Sequence, residues 1–220
     1  MIPLFDSFPL LRDKLPYQQL GQLPTTLDVR SGPDIGFKCE QLLVKRDDRS
    51  GDAYGGNKVR KLEFLLADAI EQGCDGVITF GAAGSNHALA TAVYARQCGL
   101  QCYSMLTPQP VAHSVRNNLM QGFAIGNHLI GFETYEESVA AARKLCRDAE
   151  EKGQRLCTVR GGGSSPLGCV GFVNAGLELG QQLAKEGLER PDVIYVALGT
   201  MGTVTGLTIG LRAAGIDSRV

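Results

Sequence analysis

Short apolar runs alternate with longer amphipathic segments from residue 41 to residue 215, and glycine-rich turns separate several of them. Apolar residues that recur at helical spacing predict amphipathic helices, whereas short continuous runs of apolar residues predict buried strands. A chain that repeats strand and helix in this way favours a mostly parallel sheet with helices on both faces. We therefore expect an α/β fold.

The pattern predicts particular elements. One helix is marked at its start, because Thr134 and Glu137 have the spacing of a capping box. The run VIYVAL at 193–198 is apolar throughout, as is typical of a strand buried on both faces. Strands are predicted at 41–46, 76–80, 101–106, 128–132, 155–159 and 193–198, and helices at 59–72, 86–97, 113–121, 134–152, from Ser165 to 186 and from the last glycine turn to Gly215.

Composition excludes several classes of function. The formal net charge of −1 leaves no electrostatic footprint for nucleic acid or an anionic membrane. No apolar run approaches the roughly 18 residues of a membrane span, and the N-terminus lacks the pattern of a signal peptide. Seven scattered cysteines suggest reduced thiols in a cytoplasmic protein. His87, His113 and His128 lack metal-ligand spacing, so no metal site is expected.

The segment 55–63, GGNKVRKLE, places Lys58 between a glycine-rich turn and the first turn of a predicted helix. Lysine is unfavourable there because the helix dipole is positive at that end. Lys58, Arg60 and Lys61 crowd three cations into one turn, which predicts an anion bound nearby. Neighbouring cations also favour the neutral amine, the form that attacks an aldehyde. A solvated surface lysine is the alternative.

Two more glycine-rich turns join a strand to a helix, at 81–87 (GAAGSNH) and at 199–203 (GTMGT). Such turns present backbone N–H groups and the helix dipole to an anion. The alternatives are ordinary N-caps at Ser85 and Asn86, and a tight turn whose glycines only relieve steric crowding. A positioned amine beside two anion sites suits a phosphorylated aldehyde held as a Schiff base, which indicates pyridoxal 5'-phosphate. The dinucleotide-binding and P-loop glycine patterns are not met.

The order of motifs along the chain resembles a known family. The motifs are LPT (23–25), KRDD (45–48), GGNKVRKLE (55–63), GSNH (84–87), GGGSSPLG (161–168) and GTMGT (199–203). Together they resemble the D-cysteine desulfhydrase and 1-aminocyclopropane-1-carboxylate deaminase family, which are pyridoxal-phosphate enzymes of the tryptophan-synthase-β fold type. The resemblance runs over essentially the whole chain.

The resemblance implies two domains with mostly parallel, three-layer sheets and the cofactor in the cleft between them. Residues 1–60 plus 172–220 would form the larger domain, incomplete at its C-terminus because relatives continue past Val220, and 61–171 the smaller, inserted one. It implies that Lys58 is the Schiff-base lysine, that Ser85 binds the substrate carboxylate or helps in proton transfer, and that Asn86 binds the ring hydroxyl. The remaining implied residues are Asn57, Gly199, Thr200, Met201, Gly202 and Thr203 for the cofactor, and Ser85, Asn86 and His87 for the substrate.

The implied function is that of a lyase or deaminase acting on a small amino acid. His87 stands where the cyclopropane-opening relatives typically carry Gln, which favours β-elimination from a D-cysteine-like substrate. Ring-opening deamination of 1-aminocyclopropane-1-carboxylate is the alternative within the family. A truncated, catalytically silent cofactor-binding or interaction protein is the alternative outside it, and for a chain that ends at Val220 we expect weak or no turnover. Relatives often dimerise, so a homodimer is possible.

Overall fold

A computed structural model of the chain describes residues 2–220, except for the side chain of Ile35. Helices and strands alternate through most of it, as the sequence predicts. The helices are α1 (Pro3–Ser7), α2 (Lys58–Glu71), α3 (Asn86–Gln97), α4 (His113–Ala124), α5 (Tyr135–Glu150), α6 (Pro166–Glu186) and α7 (Gly202–Ala213). The strands are β1 (Leu27–Ser31), β2 (Gln41–Lys45), β3 (Gly76–Ala82), β4 (Gln101–Thr107), β5 (His128–Gly131) and β6 (Leu156–Val159).

Four of the strands form a parallel sheet in the order β5-β4-β3-β6. Central β3 is apolar and buried, and its residue Val77 lies between Cys102 of β4 and Cys157 of β6. All four strands end on the same edge of the sheet, and each is followed by a loop that begins a helix or a helical turn. The predicted α/β class is therefore confirmed. The predicted division of the chain into two domains stays a prediction.

The helix that follows β5 begins as the sequence predicts. Thr134 is its N-cap, and its side chain accepts a hydrogen bond from the backbone N–H of Glu137. The Glu137 carboxylate accepts in return from the Thr134 N–H, so the capping box is complete. Two of the four free N–H groups at this helix start are thereby satisfied.

The predicted strand at 193–198 is wrong. In that segment only Val193 makes a bridge, to Arg219, and the side chains of Tyr195 and Leu198 are 91% and 69% exposed. An apolar run becomes a strand only where neighbouring strands pair with its backbone hydrogen-bonding groups. Within residues 2–220 no strand lies beside this segment to pair with it. The antiparallel pair β1–β2 is present nearby, and its β1 escaped prediction because its alternating residues are only half-buried or exposed.

Helices α6 and α7 pack at unusually close range because glycines face each other. A Cβ atom added at Gly210 would lie 2.2 Å from the Val173 carbonyl oxygen, and one added at Gly176 would lie 2.6 Å from the Leu211 nitrogen. The close approach buries Phe172, Leu179, Leu207 and Leu211 in a common core. The start of α7 is thereby held against α6.

A buried cluster of charges joins the start of α2 to α6. Arg60 is fully buried and donates to Glu178 at 2.9 Å and to Asp47 at 2.7 Å. Lys45 donates to the same Glu178 carboxylate. Burial alone would lower the pKa of Arg60, but the two carboxylates outweigh it and raise that pKa. Two cations thus face two anions, so the cluster is neutral overall.

The expectation that the cysteines are all reduced is wrong for one pair. Cys74 and Cys157 form a disulfide, with their Cα atoms 6.1 Å apart, within the range such bonds require. The sequence gives no hint of the pair because 83 residues separate its members. The parallel pairing of β3 with β6 brings them together, since Cys74 lies just before β3 and Cys157 lies within β6. The other five cysteines are free.

Candidate active site

Lys58 is the first residue of α2, and its position is tied to the Gly199–Thr203 loop through Asn57. The Lys58 ammonium donates to Asn57 Oδ1 at 2.9 Å, and Asn57 Nδ2 donates to Thr203 Oγ1 at 3.3 Å. The predicted site segments 55–63 and 199–203, which are far apart in the sequence, therefore meet. Burial lowers the pKa of Lys58 from its usual value, which favours the neutral amine.

The explanation from three crowded cations needs correction. Arg60 is neutralised by Asp47 and Glu178, so it calls for no bound anion. The pKa of Lys58 falls through burial, not through its neighbours. Lys61 does feel the charge of Lys58: its pKa is lowered to about 8, first by burial and then by that charge.

Lys61 lies at the centre of a cluster of hydrogen-bond donors. Its ammonium donates to the Gly162 carbonyl at 3.0 Å and to Ser164 Oγ at 3.4 Å. Ser164 Oγ is in turn 2.6 Å from Thr200 Oγ1. A Cβ atom added at Gly202 would lie 3.0 Å from the Lys61 nitrogen, so only glycine leaves this space open. An ammonium group, two hydroxyls and the start of α7 thus converge on one place.

A cavity of about 570 Å³ opens beside these groups. Its polar wall includes Lys58, Asn57, Thr200 and Thr203, and its apolar wall includes Phe172. Cavities of about 300–1,000 Å³ with a few converging polar groups are typical of small-molecule sites. The predicted residues Gly199 and Met201 also line it, and Met201 has a left-handed backbone (φ 64°) that turns the chain into α7.

The segment Ser85–His87 begins α3, as predicted. Ser85 is the N-cap, and its hydroxyl accepts a hydrogen bond from the Ala88 N–H at 3.2 Å. Ordinary capping therefore explains Ser85. The backbone N–H groups of Asn86 and His87 have no hydrogen-bond acceptor within residues 2–220, as is usual for the first turn of a helix. They are free to bind an anion such as a carboxylate.

The His87 side chain is buried, with its Cε1 atom in the same packing as Lys61 and Gly163. Neither ring nitrogen makes a hydrogen bond of ordinary geometry within the described chain. Burial, reinforced by the charges of Lys58 and Lys61, lowers the pKa of His87 to about 3, against a small opposing effect of the Arg160 carbonyl. The His87 ring is therefore neutral near pH 7 and packs against Gly163 and Lys61.

Sequence reasoning missed several of these contacts. Ser164 is one of two adjacent serines, and only its contacts with Lys61 and Thr200 distinguish it. Tyr54 and Asn118 hydrogen-bond to the Asn86 side chain from distant parts of the chain, and no spacing in the sequence marks either. Within residues 2–220 there is no group of three or more His, Cys, Asp or Glu side chains that could hold a metal ion.

Comparison with known proteins identifies the class to which this site belongs. A family model described as "Pyridoxal-phosphate dependent enzyme" matches residues 19–220. A "Putative 1-aminocyclopropane-1-carboxylate deaminase" of Pyrococcus abyssi (strain GE5 / Orsay) is 35% identical over 217 residues, which cover 96% of this chain and 60% of that protein. A "D-cysteine desulfhydrase" of Klebsiella pneumoniae (strain 342) is 36% identical over 211 residues, which cover 90% of this chain and 61% of that protein.

Solved structures agree on the fold. The crystal structure of an ACC deaminase homologue has a TM-score of 0.83 and 32% identity, and the match covers 97% of this chain and 63% of that one. A fungal L-serine ammonia-lyase from Rhizomucor miehei has a TM-score of 0.68 at 22% identity, with 90% of this chain and 57% of that one covered. The predicted tryptophan-synthase-β-like fold is confirmed by these likenesses.

The chain belongs to the family of pyridoxal-phosphate-dependent enzymes that the matching model describes. The resemblance to 1-aminocyclopropane-1-carboxylate deaminases and D-cysteine desulfhydrases, and the prediction of pyridoxal 5'-phosphate as cofactor, are both confirmed. The chain spans about 60% of the length of the curated relatives it matches. No helix within residues 2–220 is both long and apolar enough to cross a membrane.

The residues present fit the cofactor. A phosphate needs several donors and positive charge, and the open space at Gly202 faces Lys61 and Ser164, with Thr200 beside them. An aldehyde needs an amine that loses its proton easily, and the half-buried Lys58 has a lowered pKa. Both features line or adjoin the same cavity.

Proposed function

We propose that the protein, with pyridoxal 5'-phosphate bound at Lys58, is a lyase or deaminase that acts on a small amino acid. The observation that carries the proposal is that Lys58 shares one cavity with the Gly199–Thr203 loop. The preferred reaction is β-elimination from a D-cysteine-like substrate, giving a keto acid, ammonia and sulfide. When bound, the cofactor supplies an electron sink for negative charge on the carbon next to the substrate amine.

The chain's own residues would hold the cofactor at its two ends. Lys58 supplies the amine that binds the aldehyde carbon. Lys61, with the hydroxyls of Thr200 and Thr203 and the start of α7, supplies donors for the phosphate, since α7 has its positive dipole end there. Asn57 joins the two groups, because it accepts from Lys58 and donates to Thr203.

The start of α3 supplies the substrate site in this proposal. The free backbone N–H groups of Asn86 and His87 suit a carboxylate, and Ser85 stands at the same turn. Asn86 would also donate to the ring hydroxyl of the cofactor. Lys58 would also serve as the acid–base group that takes the proton from the carbon next to the substrate amine and returns it to the leaving group or product.

Ring-opening deamination of 1-aminocyclopropane-1-carboxylate is the second candidate, favoured by the likeness to proteins whose names carry that activity. Purified protein loaded with pyridoxal phosphate would separate the two reactions. Both release a keto acid and ammonia, but only D-cysteine also yields sulfide. A cytoplasmic location and a homodimer remain part of the proposal, and gel filtration with light scattering tests the latter.

We expect Lys58→Ala to lose the visible absorption band that forms when the protein binds pyridoxal phosphate, because no amine remains to bond the aldehyde. Borohydride should trap the cofactor covalently on the unmodified protein, and peptide mass spectrometry should locate it on Lys58. Lys185→Ala, at an exposed lysine of α6, is the matched control and should keep the band.

A covalent adduct that persists in Lys58→Ala would contradict the assignment, and Lys61 would be the next candidate. Unchanged cofactor affinity in Lys58→Ala, without any band in the parent protein, would favour a phosphate or nucleotide binder that forms no Schiff base. A band without turnover of either substrate would favour a silent cofactor-binding protein.

A further inference from the structure

The side-chain amide of Asn118, on α4, has a fixed orientation. Its Nδ2 atom donates to the Gly84 carbonyl oxygen at 2.9 Å and to the Asn86 side chain at 2.8 Å. A backbone carbonyl can only accept, so the atom of Asn118 that faces Gly84 must be the nitrogen. The Gly84 peptide is itself held from the other side, because its N–H donates to Gln109 Oε1 at 2.9 Å.

This orientation determines that of Asn86. Since Asn118 presents a nitrogen, the Asn86 atom that meets it must be Oδ1, the only acceptor of that amide. The Tyr54 hydroxyl donates to the same oxygen at 3.0 Å. Within residues 2–220 the Nδ2 atom of Asn86 has no hydrogen-bond partner, and the residue is exposed. Its two N–H donors therefore face open space at the start of α3.

Tyr54 also connects this amide to the reactive lysine. It lies four residues before Lys58 in the chain, at the beginning of the same glycine-rich turn. Its own place is fixed, since its backbone carbonyl accepts a hydrogen bond from the buried Tyr94 hydroxyl at 2.5 Å. The donors of Asn86 are thus oriented by contacts to both α4 and the turn that carries Lys58.

We propose that Asn118 and Tyr54 are positioning residues that hold the Asn86 amide with its nitrogen toward the ring hydroxyl of the cofactor. The inference rests on the proposed function, because that function supplies the acceptor. A free asparagine amide could present either end to the ligand, and half of those arrangements would set oxygen against oxygen. The two donors to Asn86 Oδ1 remove the wrong arrangement before the ligand arrives. Binding therefore carries no entropic cost for ordering the Asn86 amide.

The test compares two ligands, pyridoxal phosphate and its 3-deoxy analogue, which lacks the ring hydroxyl. Dissociation constants come from absorbance or fluorescence titration, so no turnover is needed. The unmodified protein should bind pyridoxal phosphate about tenfold more tightly than the analogue, as a hydrogen bond to a charged oxygen predicts. Asn86→Ala should bring that ratio close to one.

Asn118→Ala should reduce the ratio to about threefold or less, because the remaining Tyr54 hydroxyl can accept as well as donate and so tolerates either orientation of the amide. Asn118→Asp should reduce it further, since a carboxylate accepts from the Asn86 nitrogen and turns the Asn86 oxygen toward the ligand. Tyr54→Phe removes the hydroxyl but leaves the Asn118 nitrogen in place, so it should give an intermediate ratio. Asn117→Ala, an exposed neighbour on the same helix, should leave the ratio unchanged.

An unchanged ratio in both Asn118 variants and in Tyr54→Phe, with Asn86→Ala still lowering it, would overturn the inference alone. A ratio that Asn86→Ala does not lower would overturn the part given to Asn86 as well. Failure of the unmodified protein to bind pyridoxal phosphate at Lys58 would overturn the proposed function and this inference together. A general loss of affinity for both ligands would indicate a merely structural role for Asn118.

Discussion

Lys61 is the cation best placed to bind the phosphate in the proposed site. It is 1% exposed, and burial together with the charge of Lys58 lowers its pKa to about 8. Its ammonium already lies near Ser164 and the open space at Gly202. The protonated form binds an anion and the neutral form does not, so the proposed site should depend on pH in a range where lysine ordinarily stays charged.

We expect affinity for pyridoxine 5'-phosphate, which has the phosphate but no aldehyde, to fall as pH rises above about 8, the pKa of Lys61. The bound phosphate stabilises the ammonium, so Lys61 should take up a proton on binding in that range. Lys61→Met should bind about tenfold more weakly near pH 7 and lose this pH dependence. Calorimetry at several pH values measures both effects, and Lys185→Met is the control.

A pH profile that is the same in Lys61→Met and in the unmodified protein would assign the titration to the ligand alone. Far-UV circular dichroism of the variant checks that the loss of affinity is not a loss of fold. Since methionine matches the lysine stem in shape, the buried packing around Lys61 should persist.

Residues that act within one motif were predictable from the sequence, and those that act across motifs were not. Lys58, Asn57 and Ser85 carry their signals in a glycine-rich turn or a helix start, and the structure places each at such a turn. Asn118 stands in the middle of a helix among other polar residues, and only its contact with Asn86 marks it. Contacts of that kind depend on how elements pack, which local spacing does not encode.

At the scale of elements, the approach of α6 to α7 sets where the proposed phosphate loop lies. Gly176 and Gly210 allow the helix backbones to touch, which fixes the first turn of α7 relative to the cavity. Larger residues at these positions would push the helices apart. The cavity wall formed by Thr203 and Leu207 would move with α7.

We predict that Gly210→Ala lowers the free energy of unfolding by about 1–3 kcal/mol, the usual cost of overpacking a close contact. The added methyl group would lie 2.2 Å from the Val173 carbonyl oxygen, which belongs to a helix backbone and cannot move aside alone. Gly131→Ala is the control, because a Cβ atom there meets nothing within 4 Å. Urea denaturation measures both, and equal stability of the two variants would contradict the packing argument.

The helices and parallel strands were predictable because each has its own periodicity and its own end signals. The predicted helix at 86–97 has the observed bounds of α3, Asn86–Gln97. The strand predicted at 193–198 was wrong because an apolar run shows only that the segment could be buried as a strand. It does not show whether neighbouring strands are present to pair with it. The disulfide and the glycine contacts could not be predicted from the sequence, because each joins elements that are separate in the sequence.

At the scale of the whole molecule, the disulfide ties the segment after α2 to β6. We predict that reduction lowers the melting temperature by about 5–10 °C, because the bond closes a long loop and restricts the unfolded chain. The 83-residue separation of Cys74 and Cys157 makes that restriction substantial. Thiol titration of the unfolded protein should find five free thiols before reduction and seven after it.

Cys157→Ser should remove the effect of the reductant on the melting temperature, and Cys98→Ser, at a free cysteine, should not. Seven titratable thiols in protein purified without reductant, alkylated at once to prevent exchange, would contradict the disulfide.

The buried charge cluster has a consequence for how the chain is made. Arg60 leaves the ribosome 118 residues before Glu178, which accepts two of its hydrogen bonds. At about 5–20 residues per second, synthesis separates the two by roughly 6–24 s. During that interval the start of α2 holds a cation that cannot be buried without its full set of anions. The nascent segment must therefore keep Arg60 in water. Helix α2 can pack in its native position only after α6 has been synthesised.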